Sequence, residues 1–248
     1  MKKSALVTPA IGAAAVLLAT HHKFVSRIVL GNLPNYAPSA ATLNPASPLY
    51  GKHIVFLGSS ITYGAGAFGK SFVDDLAASD GLIADKLAIS GTTLAGPEAK
   101  SYISRLHNFQ PETTPDAFVC QLSTNDGRAG KPVGTVTKPG TTAFDTTTTI
   151  GAMEAIITEV NHDWHCPIMF YTCLRKPDAN YEQLIDSLYQ LQEKYGFAIL
   201  DLHHDKALAS ATSMQRFAML DDAHPTQLGY LKLWTPLFRA SLTKLLAP

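Results

Sequence analysis

The stretch His53-Ile54-Val55-Phe56-Leu57-Gly58-Ser59-Ser60-Ile61-Thr62-Tyr63-Gly64 decides how this chain is read. The apolar run after His53 is too short for a helix and stops at Gly58. That pattern fits a strand buried on both faces. Serines and glycines follow, ahead of a helical pattern that takes in Phe72, Val73, Leu76 and Ala77. A hydroxyl is thus placed where the chain leaves a strand and turns toward a helix. Serine and glycine are ordinary turn residues, so this segment alone names no chemistry.

Further runs of the same kind occur at Asp85 to Ile89 (the weakest), Ala117 to Leu122, Pro167 to Thr172 and Phe197 to Leu202. Helical stripes separate them: Tyr102, Ile103 and Leu106; Ile156, Ile157 and Val160; and Tyr181, Leu184, Ile185, Leu188 and Leu191. Strands alternating with helices predict an α/β three-layer sandwich, a parallel sheet with helices on both faces. Chemistry in such sheets sits beyond the carboxyl ends of the strands. The polar residues just after each run are therefore the candidates: Ser60, then Ser90-Gly91-Thr92-Thr93, then Ser123-Thr124-Asn125-Asp126. Near the end lies Asp221-Asp222-Ala223-His224-Pro225. Pro225 suits the first turn of a helix, which puts His224 at a helix start with an acid three residues before it.

The 248 residues carry 20 basic and 20 acidic side chains and are 46% hydrophobic and 16% charged. Such a chain buries a full core and is not globally disordered. Its neutrality argues against a general nucleic-acid binder. Three cysteines make no disulfide framework. Cys166 and Cys173 flank one strand candidate and stand roughly 20 Å apart if it is extended, and Cys120 reads as a buried small hydrophobe. Lys2 and Lys3 precede an apolar stretch from Ala5 to Ala19, with a second apolar patch from Phe24 to Leu33. Residues 1–33 are expected to be an export signal or a retained amino-terminal membrane anchor, making the protein secreted or held at the outer face of the membrane. Residues 34–51, with Pro34, Pro38, Pro45 and Pro48, read as a linker, and the folded domain is expected over 52–248. Residues 127–149 form a long Gly- and Thr-rich interruption, functional or simply solvated, with Thr149 placed to cap the next helix.

Taken together and in order, Gly58-Ser59-Ser60-Ile61-Thr62-Tyr63-Gly64, Gly91, Ser123-Thr124-Asn125-Asp126 and Asp221-x-x-His224 resemble the blocks of the SGNH (GDSL-type) hydrolase family over roughly 52–240. The resemblance implies a flavodoxin-like sheet and a serine esterase that needs no cofactor and no metal. Ser60 would be the nucleophile, His224 the base and then the acid, and Asp221 the partner of the imidazole, with Asp222 its rival. The backbone N–H groups of Ser60 and Gly91 and the amide of Asn125 would receive the oxyanion. Two departures stand out: Ser59 replaces the family Asp, and Ser123 replaces a family Gly.

Rival readings remain. Gly64-Ala65-Gly66-Ala67-Phe68-Gly69-Lys70-Ser71 fits the phosphate-loop pattern of a nucleotide hydrolase, but five residues separate it from the strand that should feed it. A non-catalytic glycan-binding module would be expected to lose Ser60 or His224. His162-x-x-His165-Cys166 and His203-His204-Asp205 lack the spacing of a closed zinc site and read as surface histidines. Trp164 and Trp234 read as packing, and Arg175 and Lys176 as the rim of the crevice. The expected substrate is a short acyl ester on a carbohydrate or cell-envelope glycan; a lipid or thioester is the alternative.

Overall fold

A computed structural model describes residues 22–175 and 178–247. β1 (His53–Gly58) is buried at every position, as a strand covered on both faces must be. β2 (Ile83–Ala88), β3 (Ala117–Gln121), β4 (Ile168–Tyr171) and β5 (Ala198–Leu200) join it in one parallel sheet of order β2-β1-β3-β4-β5. β2 starts two residues before the apolar run that announced it. It is an edge strand with only part of its surface covered, so it carries Asp85 and Lys86 and reads weakly.

The helices are α1 (22–31), α2 (Ser60–Tyr63), α3 (Phe72–Asp80), α4 (Tyr102–His107), α5 (Thr149–Asp163), α6 (Ala179–Tyr195), α7 (Lys206–Met214), α8 (Gln227–Gly229) and α9 (Thr235–Leu245). A π-helical turn at Tyr230–Trp234 joins the last two. Periodicity does not announce α7, which buries only Leu208, or α9, whose stripe is put out of phase by the π turn. Side-chain alternation splits the core into two layers. Phe56 and Tyr171 meet Phe72 of α3, which stacks on Phe238 of α9 at 3.6 Å between ring centroids. On the other face Phe118 meets Trp164, and Phe170 meets Phe197. Trp234 is wholly buried against Tyr230 and Phe238, so both tryptophans are packing residues, as their sequence setting suggested. The three cysteines are buried free thiols.

The segment read as a linker is packed onto the domain. Leu49 is wholly buried, Ser47 Oγ donates to Asp80, and the amides of Asn44 and Gly51 donate to the carbonyls of Ser79 and Gly81. Pro34 and Pro38 open two 3₁₀ turns instead of a free tether. Upstream, Asn32 donates to the Gly66 carbonyl and accepts from the Gln227 amide. Residues 1–21, which carry most of the expected signal or anchor, lie outside the described residues. Among the described residues no helix is long and apolar enough to cross a membrane.

The 127–149 segment is pinned rather than loose. Thr137 donates its amide and hydroxyl to Glu154, whose wholly buried side chain also meets Lys194 at 2.6 Å. The helix cap is Thr148, not Thr149: Thr148 Oγ1 accepts from the Gly151 amide, while Thr149 Oγ1 donates to Asp126.

One core acid has a measurable consequence. Asp75 of α3 is buried and accepts from Thr235 Oγ1 of α9 at 2.9 Å. Burial outweighs that bond and raises its pKa from 3.8 to about 7. Between those values the folded state holds a proton that the unfolded state has lost, so stability falls as pH rises from about 4 to 7. Asp75→Asn should flatten that slope and be the more stable form at pH 8, by on the order of a few kcal/mol. Denaturant titrations at pH 5 and pH 8 check it; an unchanged slope in the variant counts against the burial argument.

Candidate active site

β1 delivers Ser60 to the carboxyl edge of the sheet as the first residue of α2. Three groups hold this turn, Gln121 and Tyr230 buried and Arg105 half-buried. Gln121, the last residue of β3, accepts from the Ser59 amide at 3.0 Å and from Thr62 Oγ1 at 2.8 Å, and donates to Ser59 Oγ at 3.1 Å. Arg105 of α4 donates to the carbonyls of Gly58 and Leu87 and to Thr92 Oγ1, tying the ends of β1 and β2 together. Tyr230 donates to the Ile61 carbonyl at 2.7 Å. Ser59, in place of the family Asp, is thus a ligand of Gln121 and is fully buried.

His224 arrives on a short loop closed by a bridge between Met219 and Pro225. The Leu220 amide donates to the His224 carbonyl and the Thr226 amide to the Ala218 carbonyl. Thr226 is the cap of α8, so Pro225 precedes the helix and is not in its first turn; the hairpin-like bridge, not the helix start, presents the imidazole. Asp221 Oδ1 accepts from the amides of Ala223 and His224, both at 2.8 Å, which fixes the carboxylate. Its Oδ2 lies 2.8 Å from His224 Nδ1, and His224 Nε2 lies 2.8 Å from Ser60 Oγ. Burial pushes the Asp221 pKa up, but the imidazole and the two amides outweigh it and draw the pKa down to about 2. Asp222 borders the same cleft, while His224 Nδ1 lies against both carboxylate oxygens of Asp221.

The cleft, about 400 Å³, is lined by Ser60, Asn125, Arg128, Arg175, Asp221 and His224 among others. Asn125 Nδ2 donates to the Thr92 carbonyl at 2.9 Å, leaving its second N–H for the cleft. Gly91 is exposed and stands at φ 77°, a conformation that favours glycine; it reaches the site through its neighbour Thr92 and is not itself part of the lining. Asp126, a candidate by its place after β3, is a structural group. It is fully buried and accepts from the amides of Leu94 and Ala95 and from Thr149 Oγ1, so it carries the loop after β2 and the start of α5. Ser123 Oγ accepts from the amides of Asn125 and Asp126, so the side chain absent from the family pattern shapes the turn here.

The phosphate-loop match dissolves into packing. α2 stands between β1 and Gly64, and Ser71 caps α3 in a capping box with Asp74. A Cβ on Gly66 would come within 2.5 Å of the Pro225 carbonyl, so this glycine lets the His224 loop approach. Arg175 is spent on the rim: it donates to the Thr124 carbonyl, pairs with Asp178 and lies over the Tyr181 ring. Lys176 lies outside the described residues. His203 is not a surface histidine, with only 3% of its side chain exposed; Asp205 caps α7.

Residues 56–232 match the model of the GDSL-like lipase/acylhydrolase family. The chain belongs to that family. It is an SGNH-type hydrolase acting on esters. Solved structures share its fold. A protein from Lactobacillus plantarum is 22% identical with a TM-score of 0.64, over 78% of this chain and 97% of that one. A Bacteroides ovatus protein assigned to the GDSL-like lipases is 18% identical, with a TM-score of 0.55 over 78% and 98%. A family two carbohydrate esterase from Clostridium thermocellum, in complex with cellohexaose, is 15% identical with a TM-score of 0.55, over 82% and 66%. No curated protein matches the sequence.

Proposed function

We propose that Ser60, His224 and Asp221 form the catalytic triad of this SGNH hydrolase and that its substrate is a short acyl ester of a carbohydrate. The observation that carries the reading is the unbroken line from Ser60 Oγ through both imidazole nitrogens to Asp221, two contacts of 2.8 Å. Ser60 Oγ attacks the ester carbonyl while its proton passes to His224 Nε2. Asp221 holds Nδ1–H and stabilises the imidazolium. The oxyanion takes N–H donors from Ser60 and Asn125, and Gly91, placed outside the cleft lining, acts through Thr92, whose carbonyl holds the Asn125 amide. Collapse expels the alcohol, which takes the proton from His224, and leaves the acyl group on Ser60. Water then attacks with His224 again as base, restoring the enzyme.

The cleft's lining supports the substrate class. Ala223 is its one apolar residue among those described, which suits a small acyl group on a polyhydroxy alcohol rather than a long chain. Residues 127–149 contribute Arg128 to the lining, and their Thr run is used in capping and in holding Asp126, which makes it structural. A fold neighbour that is a carbohydrate esterase agrees with the reading. One observation favours a lipid ester. A second cleft of about 670 Å³, bordered by Leu174, Ala209 and Met219, adjoins the first through Arg175, Asp221 and Asp222. Rates on p-nitrophenyl esters of increasing acyl length, beside acetylated glycans, decide. Turnover should peak at acetyl and extend to the glycans; a rate that climbs with chain length moves the assignment to lipids.

Export is part of the same proposal. α1 exposes Phe24, Val25, Val29 and Leu30, extending the apolar character of residues 5–19 toward the domain. Full-length protein expressed in a bacterial host should fractionate outside the cytoplasm, and recovery in the cytosol removes the export reading.

Asn125→Ala should lower kcat by about a hundredfold or more with little change in KM, the cost of one oxyanion donor. The Thr92 carbonyl also loses a partner, but Asp126 still holds Leu94 and Ala95, so the fold should survive. Single-turnover kinetics and a melting curve on one preparation separate the roles. A variant that melts early yet turns over normally removes Asn125 from the oxyanion hole.

A further inference from the structure

At the carboxyl edge of β5 the chain places two histidines against one carboxylate from the first turn of α6. His203 Nε2 lies 2.8 Å from Glu182 Oε1, and His204 Nε2 lies 3.1 Å from Glu182 Oε2. The other ring nitrogens are already assigned. His203 Nδ1 faces the Cys173 carbonyl at 3.2 Å, and a carbonyl can only accept, so Nδ1 carries the hydrogen. His204 Nδ1 faces Asp201 Oδ2 at 2.8 Å. Asp201 also receives Thr172 Oγ1, Tyr189 Oη and the His203 amide, an all-donor surrounding that fits an acceptor carboxylate. His204 Nδ1 is therefore a donor as well.

With Nδ1 protonated in both neutral rings, each Nε2 presents a lone pair to an oxygen that also presents lone pairs. Three groups of acceptor character converge with no hydrogen between them. Two extra protons would also resolve this, leaving two positive rings, with centroids 5.0 Å apart, against the carboxylates of Glu182 and Asp201. A single divalent ion resolves it in one step. The ligand atoms lie within 4.8 Å of one another, so a small side-chain adjustment brings all three to the bonds of about 2.0–2.2 Å that such an ion makes to nitrogen and oxygen. Two imidazoles and a carboxylate are borderline ligands that favour zinc-class ions. The outer contacts are those that orient metal-bound histidines, a backbone carbonyl on one ring and a carboxylate on the other.

We propose that Glu182, His203 and His204 bind a divalent transition-metal ion of the zinc class, with a remaining position open beside the half-exposed His204. The site would clamp the start of α6 to the end of β5. It borders the catalytic cleft through packed groups: the Tyr181 ring stands edge-on to His203, Tyr181 Oη accepts from the Cys173 amide, and Arg175 covers the same ring. The ion sits apart from the reacting atoms and orders the cleft rim; the ester chemistry assigned to Ser60 does not depend on it.

The test uses the full chain, stripped with a chelator and dialysed, then titrated with Zn²⁺ and separately with Co²⁺. One equivalent of Zn²⁺ should bind in calorimetry, the melting temperature should rise by several degrees, and Co²⁺ should give the visible absorption of a low-coordinate nitrogen and oxygen site. His203 is buried and its replacement risks misfolding, so the variants are Glu182→Gln and His204→Ala, with His162→Ala as an exposed control. Each of the two should weaken Zn²⁺ binding by at least about tenfold to a hundredfold, the range for perturbing a metal's ligand environment, and abolish the melting shift, while the control behaves as wild type. Absence of a bound equivalent, or equal affinity in wild type and both variants, overturns the proposal.

Discussion

Ser60→Ala should lower ester turnover by several orders of magnitude, up to about a millionfold, while leaving the fold intact. The expectation rests on how the site is supported. The contact made by Ser60 Oγ is to His224 Nε2, and the turn itself is held by Gln121, Arg105 and Tyr230 through neighbouring atoms. Removing the hydroxyl deletes one partly buried hydrogen bond, roughly 1 kcal/mol, and no scaffold. Melting temperature should therefore move by only a few degrees. Residual activity above the water rate should persist, because the oxyanion donors and the cleft remain. A fluorophosphate should label wild-type protein on Ser60, read by mass spectrometry of the active-site peptide. Label on Ser59 would overturn the register, which the structure opposes by burying Ser59 fully against Gln121.

The sheet was legible because its central strands are buried on both faces. β1, β3 and β4 therefore read as mainly apolar runs, with the polar candidates within a step or two of their ends. The triad was legible for a related reason: nucleophile, base and acid must be specific residue types at element ends, where a short motif records them. What supports them was not legible. Gln121 looks like an interruption of an apolar strand, and Arg105 looks like an exposed residue of a short helix. Gln121 acts on Ser59, 62 residues away, and Arg105 reaches Gly58, 47 residues away, links that no local pattern encodes. Asp126 was hidden for the opposite reason, since its residue type is common in turns and its three donors come from distant segments. The histidine cluster was missed because its spacing was judged along the chain. His203 and His204 are adjacent, and Glu182 comes to them only when α6 packs beside β5.

Asp221→Asn should cost far more activity than Asp222→Asn, on the order of ten-thousandfold against a small change. The reason lies in which oxygen does what. Asp221 Oδ1 is engaged by the amides of Ala223 and His224, while Oδ2 makes the shorter contact with His224 Nδ1. An asparagine in this loop keeps its carbonyl oxygen on the two amides, because they can only donate. Its NH₂ then takes the place of Oδ2 and donates to Nδ1. The imidazole is forced into the tautomer with its hydrogen on Nε2, where it can no longer accept the proton of Ser60. Geometry survives and basicity at the needed atom does not, so kcat should fall with KM little changed and the melting temperature near wild type. The same two amides, with the imidazole, keep the Asp221 pKa near 2, so the wild-type carboxylate is charged at any pH where the enzyme would work. Asp222 borders the cleft, and its amide variant should alter substrate preference at most. Steady-state kinetics on both variants with one p-nitrophenyl ester decide the matter. Equal losses, or a greater loss in Asp222→Asn, would transfer the orienting role to Asp222.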